Sequence, residues 1–151
     1  MNSIAISHHL ENIQTWVSDQ IEHSKGCPIL GIFINIKHEC YTKLYPFLTQ
    51  QSIEDDLGRE ALLRQAKLII LIYPSKILRR GDTLELLGGK SQDIEIQETD
   101  KIECVTMAAH DIDRNYHNVT ACEVVRKNDK FSLGEWREYD YDTLLLKGEN
   151  F

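Results

Sequence analysis

Leu68-Ile69-Ile70-Leu71-Ile72-Tyr73 is an uninterrupted apolar run, and a second one, Ile29-Leu30-Gly31-Ile32-Phe33-Ile34-Asn35-Ile36-Lys37, precedes it in the chain. In both segments β-branched and other apolar side chains fall on both faces of an extended backbone. This pattern is typical of central strands that are covered on two sides. The two runs therefore predict the middle of a sheet, and we expect Pro74 to end the strand at residues 68–73.

Helical periodicity surrounds the first of these strands. Residues 7–25 are predicted to form an amphipathic helix with Ser7 as its N-cap. The apolar residues that recur there at helical spacing are Leu10, Ile13, Val17 and Ile21. Residues 39–50 are expected to form a short helix that Pro46 breaks or kinks. A further helix is expected from Ser52 towards Lys67, because acidic residues follow a capping serine.

Beyond residue 67 the sequence changes to strand-like runs separated by turn signals. These runs lie at residues 68–73, 82–87, 92–98, 101–109, 118–126 and 135–146. A chain of 151 residues has the size of one domain. The predicted fold is α+β, with an N-terminal helix and a helix pair packed on one face of a curled, mainly antiparallel sheet of about six to seven strands, in a single domain over residues 1–151.

Charge and composition exclude several classes of function. The net charge of -7 and the pI near 5.3 argue against broad binding to nucleic acid or to anionic membranes. No apolar run approaches the length of a membrane span, and the N-terminus lacks the pattern of a signal peptide, so we expect a cytoplasmic protein with no membrane segment. The four cysteines form no C-x-x-C pair, so we expect neither a zinc ribbon nor a thioredoxin motif. Because the expected cytoplasmic compartment is reducing, we also expect no disulfide.

The segment His110-Asp111-Ile112-Asp113-Arg114-Asn115-Tyr116-His117 concentrates titratable side chains between two predicted strands. If residues 101–109 and 118–126 pair as a hairpin, His110 and His117 flank the turn and can face each other. Two imidazoles with Asp111 or Asp113 would suit zinc, iron or nickel. The candidate polar or metal site is therefore His110, Asp111, Asp113 and His117. Its spacing matches no catalytic or metal motif, and the same residue types are common in ordinary turns.

A second candidate is the alternation of aromatic and charged residues near the C-terminus. Trp136, Arg137, Tyr139 and Tyr141 are residue types that anchor protein interfaces, although the same mixture fits an ordinary outer strand.

Two functions follow from these features. The first is a small acidic cytosolic binding or adaptor protein that contacts another protein through the Trp136–Tyr141 surface. The alternative is an α+β cavity protein that binds or converts a small molecule at a His/Asp polar site, with or without a metal. A concave pocket lined by the candidate residues would distinguish the alternative from the first. The sequence identifies no cofactor, catalytic residue or oligomeric state.

Overall fold

The computed structural model describes the backbone of residues 1–24, 26–46, 50–80, 83–86, 101–113, 116–128 and 130–139, and side chains except at 50, 76–80, 83–86, 101, 116 and 139. Its elements in chain order are α1 (Ser3–Ser24), β1 (Ile29–Asn35), β2 (Cys40–Tyr45), α2 (Gln50–Leu63), β3 (Ala66–Arg80), β4 (Thr83–Leu86), β5 (Lys101–Asp111), β6 (Tyr116–Lys127), β7 (Lys130–Leu133) and β8 (Arg137–Tyr139). All pairings between these strands are antiparallel. Their order is β2-β1-β3-β5-β6-β7, with β4 on β3 and β8 on β6, so the predicted α+β class is confirmed.

Strand β3 lies at the centre of the sheet. Its first half pairs with β1 on one side and with β5 on the other. Leu68, Ile70 and Ile72 are buried on one face, while Leu71 and Tyr73 are buried on the opposite face. Burial on both faces explains why this segment is apolar without alternation, as the sequence predicts.

The two helices lie on opposite faces of the sheet. Helix α1 packs on the face that carries Ile70, through Ile6, Val17 and Ile21. Helix α2 packs on the face that carries Leu71, through Ile53, Leu57 and Ala61. The prediction that the helices share one face is wrong, because both faces of the central strands are apolar and each needs a covering layer. Neither helix is long and apolar enough to cross a lipid bilayer.

The predicted short helix over residues 39–50 is wrong at its start. Residues Cys40–Tyr45 form β2, which pairs with β1 across a tight turn. His38 adopts a positive φ of 62° in that turn. The side-chain Oδ1 of Asn35 accepts hydrogen bonds from the backbone nitrogens of Lys37 and Glu39, both at 3.0 Å. A local side-chain turn of this kind reverses the chain and replaces the expected helix pair with the single helix α2.

Two predicted boundaries also move. Helix α1 begins at Ser3 rather than after Ser7, because the Asn2 side chain caps it by accepting a hydrogen bond from the backbone nitrogen of Ala5 at 2.8 Å. Strand β3 continues through Pro74. This proline lies beyond Ile72, the last residue of β3 that pairs with β1, so its missing N–H falls where one side of the strand has no paired neighbour among the described residues.

The remaining C-terminal predictions are only partly visible. The predicted strand at 92–98 lies outside the described residues. Of the predicted strand at 135–146, the structure describes β8 and nothing beyond residue 139.

We expect Ile70→Ala to lower the free energy of unfolding by roughly 2–5 kcal/mol, because it leaves a cavity in a core that is closed on all sides. Urea denaturation measures this difference. Leu44→Ala, which truncates a side chain that is 60% exposed, is the matched control and should change the value by less than about 0.5 kcal/mol. Equal small losses for both variants would contradict the central position of β3.

Candidate functional site

The β5–β6 hairpin brings His110 and His117 together. The register places them directly opposite each other. Their ring centroids are 4.1 Å apart and their planes differ by 16°, so the two imidazoles are stacked. The facing arrangement predicted from the sequence is confirmed. Both residues belong to strands, because β5 extends to Asp111 and β6 begins at Tyr116. The backbone ladder of the hairpin therefore holds this pair in place.

The two candidate carboxylates lie apart from the imidazoles. Successive side chains of a strand point to opposite faces, so Asp111 is buried on the α1 side while His110 lies on the α2 side. Asp113 follows β5 and forms an ion pair with Lys67, with 3.3 Å between Oδ1 and Nζ. No group of three or more His, Cys, Asp or Glu side chains arranged to hold a metal occurs in the described part of the chain. The geometry therefore offers no support for a metal at these four residues.

An apolar groove of about 540 Å³ lies between α2 and the neighbouring strands, and we call it the α2 groove. Its apolar lining consists of Leu57, Gly58, Ala61, Leu62, Ile69, Leu71, Ala108, Ala109 and Ile112. The polar side chains in its lining are His110, His117 and Glu54. The sequence predicts the two imidazoles but not the groove, because the groove depends on where α2 packs.

The Nε2 atom of His110 is buried and has no hydrogen-bond partner among the described residues. A buried polar atom without a partner destabilises the folded state unless water or a ligand completes its hydrogen bond. His110 pairs with Ile69 of β3, shortly after the end of α2 at Leu63. The imidazoles therefore lie towards the C-terminal end of the helix, whereas Glu54 lies towards its N-terminal end.

A second groove, of about 570 Å³, lies on the opposite face between α1 and strands β5, β6 and β8. It is richer in polar groups, and its lining includes Ser3, Ser7, Glu11, Gln14, Asp111, Asn118, Thr120 and Glu138. Gln14 donates a hydrogen bond to Thr120 Oγ1, and Asn118 donates one to Glu138 Oε1, both at 3.4 Å. These contacts join α1 to β6 and β6 to β8, so part of the polar lining stabilises the fold.

The structure gives different environments to the four candidate interface residues. Trp136 is half-buried against the α1-side core, and its Nε1–H donates to Ser18 Oγ at 3.3 Å. Arg137 is exposed on β8, opposite Ala121 of β6. The side chain of Tyr139 and the whole of Tyr141 lie outside the described residues. Trp136 therefore fastens the chain before β8 to α1.

Charged residues that the sequence analysis did not single out fix the position of α2. Tyr45 donates a hydrogen bond to Asp56 Oδ2 at 2.7 Å, and Lys43 Nζ contacts the same oxygen at 2.8 Å. Lys43 also pairs with Glu60 at 3.3 Å. The hydrogen bonds from Lys43 and Tyr45 lower the pKa of Asp56. Alternate residues of β2 thus meet residues four apart on α2, and this network holds one wall of the α2 groove.

The thiols show no sign of activation. All four cysteines are free, and Cys104 and Cys122 are buried. Burial raises the pKa of Cys27 and of Cys122 to about 12 in each case. Because the thiolate is the nucleophile, these two residues are not suited to covalent catalysis near neutral pH.

We expect Asp56→Asn to lower the free energy of unfolding near neutral pH and to flatten its dependence on acid pH. The folded-state pKa of Asp56 lies below its ordinary value of 3.8, so the stabilisation is complete above that value and is lost as the pH falls through the lowered pKa. Urea denaturation across the acid range should therefore show the wild type and the variant converging in acid. Asp55→Asn, at an exposed neighbouring position, is the control. Parallel curves for wild type and Asp56→Asn would contradict the assignment.

Comparisons with protein-family models, with curated proteins and with solved structures find no match for this chain.

Proposed function

We propose that this protein binds a small, largely apolar molecule in the α2 groove, with the stacked imidazoles of His110 and His117 providing the polar contact. The observation that carries the proposal is that His110, a residue of the lining of an otherwise mostly apolar groove, has a buried Nε2 with no hydrogen-bond partner among the described residues. An apolar concavity with a few convergent polar groups is the usual form of a small-molecule site.

The size and surface of the groove support this function. Its volume of about 540 Å³ falls within the roughly 300–1,000 Å³ typical of ligand pockets. Two of its lining side chains are exposed, Leu62 by 83% and Ile112 by 39%. A bound molecule would remove part of this surface from water, and each Å² of apolar area buried contributes about 25 cal/mol.

The chemistry of the imidazole pair supports binding and orientation of a ligand. Stacking covers the inner faces of the two rings, so further contacts are made by the outer faces and by the ring edges, where the nitrogens lie. An imidazole nitrogen donates or accepts a hydrogen bond according to its tautomer. A hydroxyl, carbonyl or carboxylate of the ligand would complete the hydrogen bond of His110 Nε2. We assign no reaction to the groove.

A protein-binding role is the second candidate, and a surface other than Trp136–Tyr141 supports it. Strand β2 lies at one end of the order of described strands. Leu44 of β2 is 60% exposed and pairs with Leu30, and Leu30 lines a small hollow together with Trp16 of α1. Exposed apolar residues beside a terminal strand are typical of interaction surfaces.

We expect 1-decanol, an apolar chain with one hydroxyl, to bind saturably in the α2 groove. NMR titration should shift the resonances of Leu57, Ala61 and Ala108 and leave those of Trp16 and Leu44 unchanged. Shifts confined to Trp16 and Leu44 would favour the second candidate instead. The absence of any saturable shift would refute the proposal.

We expect His110→Phe to weaken the binding of 1-decanol by about 2- to 10-fold, because phenylalanine keeps the aromatic stacking and removes the hydrogen bond. The same change should leave the free energy of unfolding unchanged or raise it, because it removes a buried nitrogen that has no partner. His23→Phe, at an exposed position of α1, is the control for binding. Unchanged binding by His110→Phe would show that the imidazole of His110 does not contact the ligand.

A further inference from the structure

We infer that the ligand of the α2 groove is an elongated carboxylic acid whose carboxylate binds His110 and whose apolar chain passes over Gly58. This inference rests on the proposed function, since it names the class of molecule that the same groove would take.

Gly58 is an unfavourable residue for the interior of α2, because glycine destabilises a helix relative to alanine. Packing against the rest of the described structure does not require it, since a Cβ at this position would meet no described atom within 4 Å apart from its chain neighbours and the adjacent helix backbone. Gly31 shows the opposite case, because a Cβ there would lie 2.8 Å from the ring of Tyr45. Gly58 lines the α2 groove. The missing side chain therefore keeps the groove open and relieves no clash in the fold.

The spacing of residues along α2 defines an elongated path. Glu54, Gly58 and Leu62 follow one another at intervals of four, so they form one row on the helix surface. The row covers about 12 Å at the rise of an α-helix. Leu62 is at the end of the row that is nearer to His110, and it is largely exposed. An apolar chain along this row would cover Leu62 and fill the space beside Gly58.

The head group follows from the charges of the lining. No lysine or arginine is among the described residues that line the groove, so the imidazoles are the described lining groups there that can carry positive charge. An Nε2–H of His110 bonded to a carboxylate forms a charge-assisted hydrogen bond, which is roughly twice as strong as a neutral one. Glu54 at the far end of the row disfavours a second anionic group. A single terminal carboxylate on an apolar chain satisfies both conditions.

The test compares decanoate with 1-decanol, two ligands with the same chain length and different head groups. Isothermal titration near neutral pH, at concentrations below micelle formation, should give decanoate at least about a tenfold lower Kd than 1-decanol. The His110→Phe variant should remove most of this difference, because phenylalanine offers no hydrogen-bond donor.

Substitution of Gly58 tests the path of the chain. Gly58→Leu should weaken decanoate binding by at least about tenfold, because the new side chain occupies the space of the ligand. Gly58→Ala should weaken it less, and it should raise the thermal stability, because alanine favours the helix. Gln51→Leu adds the same side chain to α2 at an exposed position away from the groove lining and should leave binding unchanged.

The outcomes separate the two claims. Equal affinities for decanoate and 1-decanol, or decanoate binding that neither Gly58 variant changes, would overturn the carboxylic-acid inference and leave the proposed function standing. If neither ligand shifts the NMR resonances of the groove residues, the proposed function fails and the inference fails with it.

Discussion

The burial of β3 on both of its faces is the constraint on which the rest of the structure depends. A strand that is apolar on two sides needs a layer on each face, and α1 and α2 provide these layers. Since β1 is antiparallel to both β2 and β3, the latter two run parallel, and their connection must cross the sheet. Helix α2 is that crossover. The helix covers β1 and β3, and the α2 groove lies beside it, over the neighbouring parts of β5 and β6.

The groove also depends on small residues at the places where helix and hairpin approach each other. Ala61 of α2 and Ala108 of β5 lie in its lining, and Gly58 contributes no side chain. Larger residues at these positions would fill the space with protein, since interiors pack to the density of organic crystals. The Lys43–Asp56–Tyr45 network limits the same space from the other direction, because it ties α2 to the edge strand β2 and away from β6.

The sequence was sufficient for features that depend on local pattern. Apolar runs identified β1 and β3, and the parity of two alternating strands brought His110 opposite His117. Parity also explains why Asp111 does not lie beside the two imidazoles as the candidate site required, because adjacent residues of a strand lie on opposite faces. The sequence predicts a helix over residues 39–50 where β2 lies, since the alternation of a half-exposed strand at the end of the sheet is weak and the turn at Asn35 has no apolar signature. The face chosen by each helix, and therefore the groove, depends on tertiary packing that no local pattern encodes.

The β5–β6 hairpin is a partition one residue thick between two grooves of different polarity. Among the described residues, the side chains of even-numbered positions in β5 and odd-numbered positions in β6 lie on the α2 side of the sheet, and those of the intervening positions lie on the α1 side. Substitutions on one face of the hairpin can therefore occur without changing the residues on the other face. An inserted residue within one of these strands has a different effect, because it moves the residues beyond the insertion to the opposite face; an insertion in β5 before His110 would move the imidazole to the α1 side and the carboxylate of Asp111 to the α2 side. The hairpin therefore tolerates substitutions on either face more readily than it tolerates the insertion of a residue.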